Sequence, residues 1–168
     1  LPFHSQRLAA FSQVQVQYGH TPVCPPVSFT LEQRDRVALV GKNGSGKTSL
    51  LRLLTDGAVP YVGEMHKASG LVISLVPQDA SFLRGSLSRL IQEEGLDESL
   101  FKAILRKMDF ARVQFEKNLE DLSQGQKKKV LLARSLCQQA HVYVWDEPLN
   151  YIDIYSRFQI EELIQQFA

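Results

Sequence analysis

Apolar residues recur in short blocks along the chain, and the spacing inside each block predicts its conformation. Leu8 to Val16 alternate weakly and run on to Tyr18-Gly19, so Val14, Val16 and Tyr18 would share one face of a strand. Thr21–Pro26 contains three prolines and reads as a loop. A second short strand, Val27–Leu31, turns at Gln33–Asp35. Val37-Ala38-Leu39-Val40 is continuously apolar, as in a strand buried on both faces, and leads into a glycine-rich turn, Gly41–Gly46. Leu50, Leu51, Leu53 and Leu54 then follow helical spacing until Gly57 and Pro60. Leu71–Val76 predicts another buried strand, stopped by Pro77. From Leu87 to Phe115 the period is helical, interrupted near Gly95 and capped again by Asp97; Glu98, Leu100, Phe101, Ile104 and Leu105 suit an amphipathic helix. Gln126–Gln139 predicts a helix with Val130, Ala133, Leu136 and Cys137 inward. Val142–Trp145 is a strand and Ile152–Phe167 a final helix. The order is β first, then α/β with an all-helical stretch inserted at about residues 80–137. The fold class is therefore α/β.

Composition changes this picture little. The 168 residues suit one domain with a substantial core. A net charge of +1 demands no nucleic-acid partner, although a local basic patch stays open. No apolar run approaches the ~20 residues that span a bilayer. The start of the chain, with Pro2, His4, Gln6 and Arg7, lacks the apolar centre of a signal peptide. The expectation is a soluble, cytoplasmic protein with no membrane segment of its own. Cys24 and Cys137 lie far apart, with no pairing motif, and are expected to be free thiols.

Two stretches carry chemistry. Gly41-Lys42-Asn43-Gly44-Ser45-Gly46-Lys47-Thr48 matches G-x-x-x-x-G-K-[ST], with a predicted strand before it and a helix after it. The match predicts the core of a P-loop nucleotide-hydrolysing protein. Glycines let such a loop aim successive N–H groups at phosphate oxygens, and the helix N-terminus adds its positive end. Gly41, Asn43, Gly44, Ser45, Gly46 and Ser49 would line the phosphates. Lys47 would bring its ammonium to them, and Thr48 its hydroxyl to Mg²⁺. The strand Val142–Trp145 ends in Asp146-Glu147. Carboxylates at the carboxyl end of a strand in an open α/β sheet face the ligand crevice. Asp146 suits Mg²⁺, and Glu147 can orient or deprotonate an attacking water.

Leu122-Ser123-Gln124-Gly125-Gln126 lies upstream of this strand. As a lone pentamer it would be a helix cap. Beside the other two motifs it resembles the LSGGQ signature of ABC ATPases, with Gln124 in place of the usual first glycine. The resemblance spans nearly the whole chain. It implies that Ser123 and Gly125 close on the γ-phosphate held by a second ATPase domain, in the same polypeptide or in a dimer mate. It implies adenine stacking for Tyr18, whose other reading is a core tyrosine. It also implies a Q-loop role for Gln78, on Mg²⁺ and the attacking water; otherwise Gln78 is a loop amide. Asp153, in Leu149-Asn150-Tyr151-Ile152-Asp153, resembles the D-loop aspartate.

That D-loop is closer to the Thr-Asn-His-Leu-Asp type of the ABC-F branch than to the Ser-Ala-Leu-Asp of transporter domains. The resemblance is to the second ATPase domain of bacterial ABC-F proteins linked to antibiotic resistance, with the ribosome as a further partner. The alternatives are the cytosolic ATPase subunit of a membrane transporter and a nucleotide-binding module of negligible turnover. The family's switch histidine, expected about 30 residues beyond Glu147, and its strand are missing, since the chain stops 21 residues after Glu147. The domain therefore reads as C-terminally truncated and as a weak ATPase alone. His141 reads as structural or exposed. Lys127–Lys129 reads as a solvated face, or else as a contact with RNA or nucleotide.

Overall fold

The structure is a computed structural model and describes residues 2–166. These form two compact units. One takes the N-terminal part through Ile73 together with Ala140–Val144, and the other takes Ser74–Gln139 with the residues from Trp145 onward.

The first unit is organised around β1 (Arg7–Tyr18). It pairs antiparallel with β2 (Thr21–Pro22), β3 (Val27–Glu32) and β4 (Tyr61–Lys67). A bulge at Gln13, whose φ is 50°, shifts the register toward both β3 and β4. It breaks the simple alternation, so Leu8, Ala9, Phe11, Val14 and Val16 all reach the core. Helix α1 (Lys47–Thr55) packs on β1 and buries Leu50, Leu53 and Leu54.

Two expectations change in this unit, and one strand was not foreseen. The apolar run Val37–Val40 is neither strand nor buried: Val37 is 59% exposed and Val40 92%. A short parallel strand exists only where neighbours supply its ladder, and among the described residues none pairs with this run. Thr21 and Pro22, read as loop, make a two-residue ladder with Gln17 and Tyr18. The unforeseen strand, β4, carries no strong apolar alternation; five of its seven residues are exposed, so its pairing with β1 has little signature in the sequence.

Strand β5 (Ile73–Val76) pairs with β6 (Val142–Trp145). Val142 N–H donates to Val72 O, and Asp146 N–H donates to Val76 O. The two contacts advance together along both strands, so the pair is parallel. His141 is structural: its Nδ1 accepts from Val72 N–H at 2.8 Å, and its ring meets that of Phe3.

The second unit is helical: α2 (Leu87–Glu93), α3 (Glu98–Lys107), α4 (Arg112–Phe115), α5 (Gln124–Cys137) and α6 (Ile154–Gln166). Phe101, Ile104, Leu105, Met108, Leu131 and Leu132 lie at the centre of its core. Caps set the helix starts. Asp97 Oδ1 accepts from Leu100 N–H at 2.9 Å, as its position before an amphipathic run requires. Helix α5 begins two residues earlier than its apolar period suggests because Ser123 and Gln126 form a reciprocal capping box. Helix α6 begins two residues later, because Asp153 accepts from both the N–H and the hydroxyl of Ser156. Phe167, the expected end of α6, lies outside the described residues.

Candidate functional site

In the first unit the candidate site is the entry to α1. Gly44 and Gly46 take the left-handed conformation, with φ of 78° and 89°. Gly46 is also confined, since a Cβ there would stand 3.0 Å from the Val23 carbonyl oxygen and from Cys24 Cβ. Any side chain would therefore be strained by both backbone and space. The N-cap of α1 is Gly46, so no N-cap side chain covers the start of the helix. Lys47 Nζ folds back to donate to Gly41 O at 2.7 Å, which holds the ammonium over the loop. The Tyr18 and Ser49 hydroxyls share a hydrogen bond at 3.2 Å, fixing the end of β1 against the first turn of α1. Tyr18 is 46% exposed, so it is not a core residue.

In the second unit the candidate residues gather around the start of α5. Asp146 is buried and follows β6 directly. Glu147 sits in the left-handed region at φ 48°, a conformation that costs a non-glycine residue about 1–3 kcal/mol and recurs at functional sites. Gln78 is exposed, and its backbone carbonyl accepts from Lys128 Nζ at 2.9 Å. Asp79 accepts from the N–H and hydroxyl of Ser81; these bonds, the backbone one first, hold its carboxyl below the usual range. Ser123 Oγ accepts from Gln126 N–H, and the N-terminal turn of α5 faces Tyr151: a Cβ at Gly125 would collide with the Tyr151 carbonyl oxygen. The backbone at Tyr151 and the Gly125 turn are thus in close approach within this unit.

The basic run is not a solvated face. Lys127, Lys128 and Lys129 are 7%, 1% and 8% exposed. Lys129 Nζ stands 3.7 Å from Asp153 Oδ1, and Lys128 donates to two backbone carbonyls. Burial pulls the Lys128 ammonium below the ordinary lysine value, while Asp146, Asp79 and Glu147 push it back up. Sequence reasoning missed Lys128 as a member of this cluster. Its only signal was a cation near the N-terminal end of a helix, where the dipole disfavours it.

The oxygen donors of Thr48, Gln78 and Asp146 are of the hard type that Mg²⁺ takes. Among the described residues no group of three His, Cys, Asp or Glu side chains stands ready to hold a metal. Both cysteines are free; burial raises the Cys137 thiol to about 11. No helix among the described residues is long and apolar enough to cross a membrane.

These features agree with comparisons against known proteins. The family model described as ABC transporter matches residues 24–150. The aliphatic sulfonates import ATP-binding protein SsuB 1 of Shouchella clausii is 31% identical, over 96% of this chain and 66% of its own. The zinc import ATP-binding protein ZnuC of Pseudomonas aeruginosa is 32% identical, over 94% of this chain and 60% of its own. The ribosome protection protein VmlR of Bacillus subtilis is 27% identical, over 97% of this chain and 30% of its own. A solved bacterial Atm1-family ABC exporter with ATP bound superposes with a TM-score of 0.80 at 20% identity, over 98% of this chain and 33% of that one, and so shares the fold. The chain therefore spans about two thirds or less of the length of these relatives. The importers stand above the ribosome protection protein in identity, which favours the transporter alternative over the ABC-F branch suggested by the D-loop. The chain belongs to the ABC transporter family of ATP-binding domains.

Proposed function

We propose that this chain is the ATP-hydrolysing domain of a membrane importer, working as one of a pair of such domains. The observation that carries the reading is the glycine-rich entry to α1, with left-handed Gly44 and Gly46 and the lysine held over the loop. Such a loop at a helix N-terminus is the form of a phosphate cradle. Gly41, Asn43, Gly44, Ser45, Gly46 and Ser49 present backbone and hydroxyl donors to the phosphates, and Lys47 neutralises their charge. Tyr18 stacks on the adenine. Thr48, Gln78 and Asp146 would hold Mg²⁺, which when bound spreads the charge of the transferred phosphoryl group. Glu147 orients the attacking water and receives its proton. Ser123 and Gly125 cover the γ-phosphate bound to the second domain. The identities of SsuB and ZnuC support the importer assignment; the transported substrate class is theirs alone.

The test is made on the full-length protein. Lys47→Ala should weaken Mg-ATP binding by about 10–100-fold in calorimetry, as expected for losing a charge-assisted contact. Glu147→Gln keeps the side chain's size and removes its basicity; turnover should fall by about 10²–10⁴-fold while ATP stays bound. Equal affinity for wild type and Lys47→Ala would sink the site assignment.

A second reading, ribosome protection, is favoured by the segment Leu149–Asp153 and by the likeness to VmlR. Fractionation of the Glu147→Gln protein with ATP decides between the two. Enrichment with membranes that carry a transporter's spanning subunits supports the importer. Enrichment with ribosomes replaces it with the second reading.

A further inference from the structure

Lys127, Lys128 and Lys129, the fourth to sixth residues of α5, pose an energetic problem. Cations near the N-terminal end of a helix meet the positive end of its dipole, and a buried ammonium loses several kcal/mol of hydration. Lys129 is compensated by Asp153. Lys128 is the most enclosed of the three, and its ammonium donates to the carbonyl oxygens of Pro77, at 3.2 Å, and Gln78, at 2.9 Å. A packing role alone would be filled at lower cost by a methionine or leucine. The ammonium instead stands among groups assigned to hydrolysis. It holds the backbone of the residue whose side chain is the Q-loop amide, and it feels the carboxylates of Asp146 and Glu147.

We propose that Lys128 is a positioning residue for ATP hydrolysis: by donating from α5 to the Pro77 and Gln78 carbonyls, it fixes the Gln78 loop to the helix that begins at the signature. This rests on the reading of Gln78, Asp146 and Glu147 as the hydrolytic side of the site. Pro77 cannot donate a backbone hydrogen bond, so the loop leaves β5 with one ladder donor fewer. The carbonyls of Pro77 and Gln78 both accept from the Lys128 side chain. A displacement of the Gln78 backbone by about 1 Å would carry its amide out of register with the water, a misplacement worth about 10²-fold in rate. Nucleotide affinity rests on the P-loop and should be spared.

Lys128→Met keeps an unbranched side chain one atom shorter and removes both charge and donors. In the full-length protein its kcat should fall by about 10–100-fold, with KM for ATP changed by no more than about threefold. Hydrogen exchange of the Gln78 and Asp79 amides should quicken by about tenfold or more, while the amides of Leu131–Arg134 keep their protection. A wild-type kcat overturns the proposal. So does a joint loss of kcat, nucleotide affinity and α5 protection, which would mark Lys128 as merely structural. Should the methionine variant not fold, Lys128→Gln retains a shorter donor and should give an intermediate kcat; a wild-type value there overturns the proposal equally. Glu147→Gln is measured alongside. If it keeps wild-type turnover, the hydrolytic reading itself fails and the proposal with it. If it loses turnover while Lys128→Met does not, only the proposal falls.

Discussion

Gly125 and Gln124 are neighbours in the signature, yet they answer to different constraints. The backbone of Tyr151, left-handed at φ 63°, brings its carbonyl onto Gly125, where no Cβ fits. Gln124 is exposed, so a side chain replaces the usual glycine there without collision. In an ordinary helix Gly→Ala stabilises by up to about 1 kcal/mol. Gly125→Ala should instead lower stability by about 1–3 kcal/mol through overpacking, and Gln124→Gly should cost about 1 kcal/mol or less. Thermal melts of both variants check the contrast; a stabilised Gly125→Ala would refute it. At this scale the P-loop and the Asp146-Glu147 pair were legible because glycine geometry and adjacent carboxylates leave local marks. Lys128 was not, because a lysine reads as solvent-facing until its burial is known.

Helices were the more legible elements, and their caps explain the residual errors of two residues at α5 and α6. Apolar period marks the buried face, whereas Ser123 and Asp153 mark the start. Strands were less legible. Val37–Val40 has the composition of a buried strand but not the neighbour that would make it one, and β4 has the neighbour without the composition. The cap of α6 also makes a pH-dependent element. The Ser156 backbone N–H, then its hydroxyl and later the Lys129 charge, lower the Asp153 carboxyl below its ordinary value. A carboxyl lowered in the folded state contributes stability above its unfolded pKa, about 3.9. The contribution is lost as pH falls through the lower folded value. The difference in melting temperature between wild type and Asp153→Asn should therefore be full at pH 6 and shrink below about pH 4. A difference that stays constant over that range would show that the charge plays no part.

On the scale of the whole molecule the chain does not divide in sequence order. Ala140–Val144 returns to the unit built from the N-terminal half, whereas Trp145 belongs to the helical one. Hydrophobic period cannot announce such a return, because it reports the burial of a segment and not the address of its partners. Two strand blocks separated by an all-helical stretch were visible in the sequence, but their pairing as β5 and β6 was not. The end of β6 has one more consequence. Trp145 is the sole tryptophan of the chain, its indole N–H is held on Ser135 Oγ at 2.9 Å, and the next residue is Asp146. The chain thus carries its single tryptophan one peptide bond from the carboxylate proposed for magnesium. Its emission should shift when Mg-ATP is added and stay still in Lys47→Ala. A titration followed at that one wavelength would time the nucleotide cycle without any attached dye.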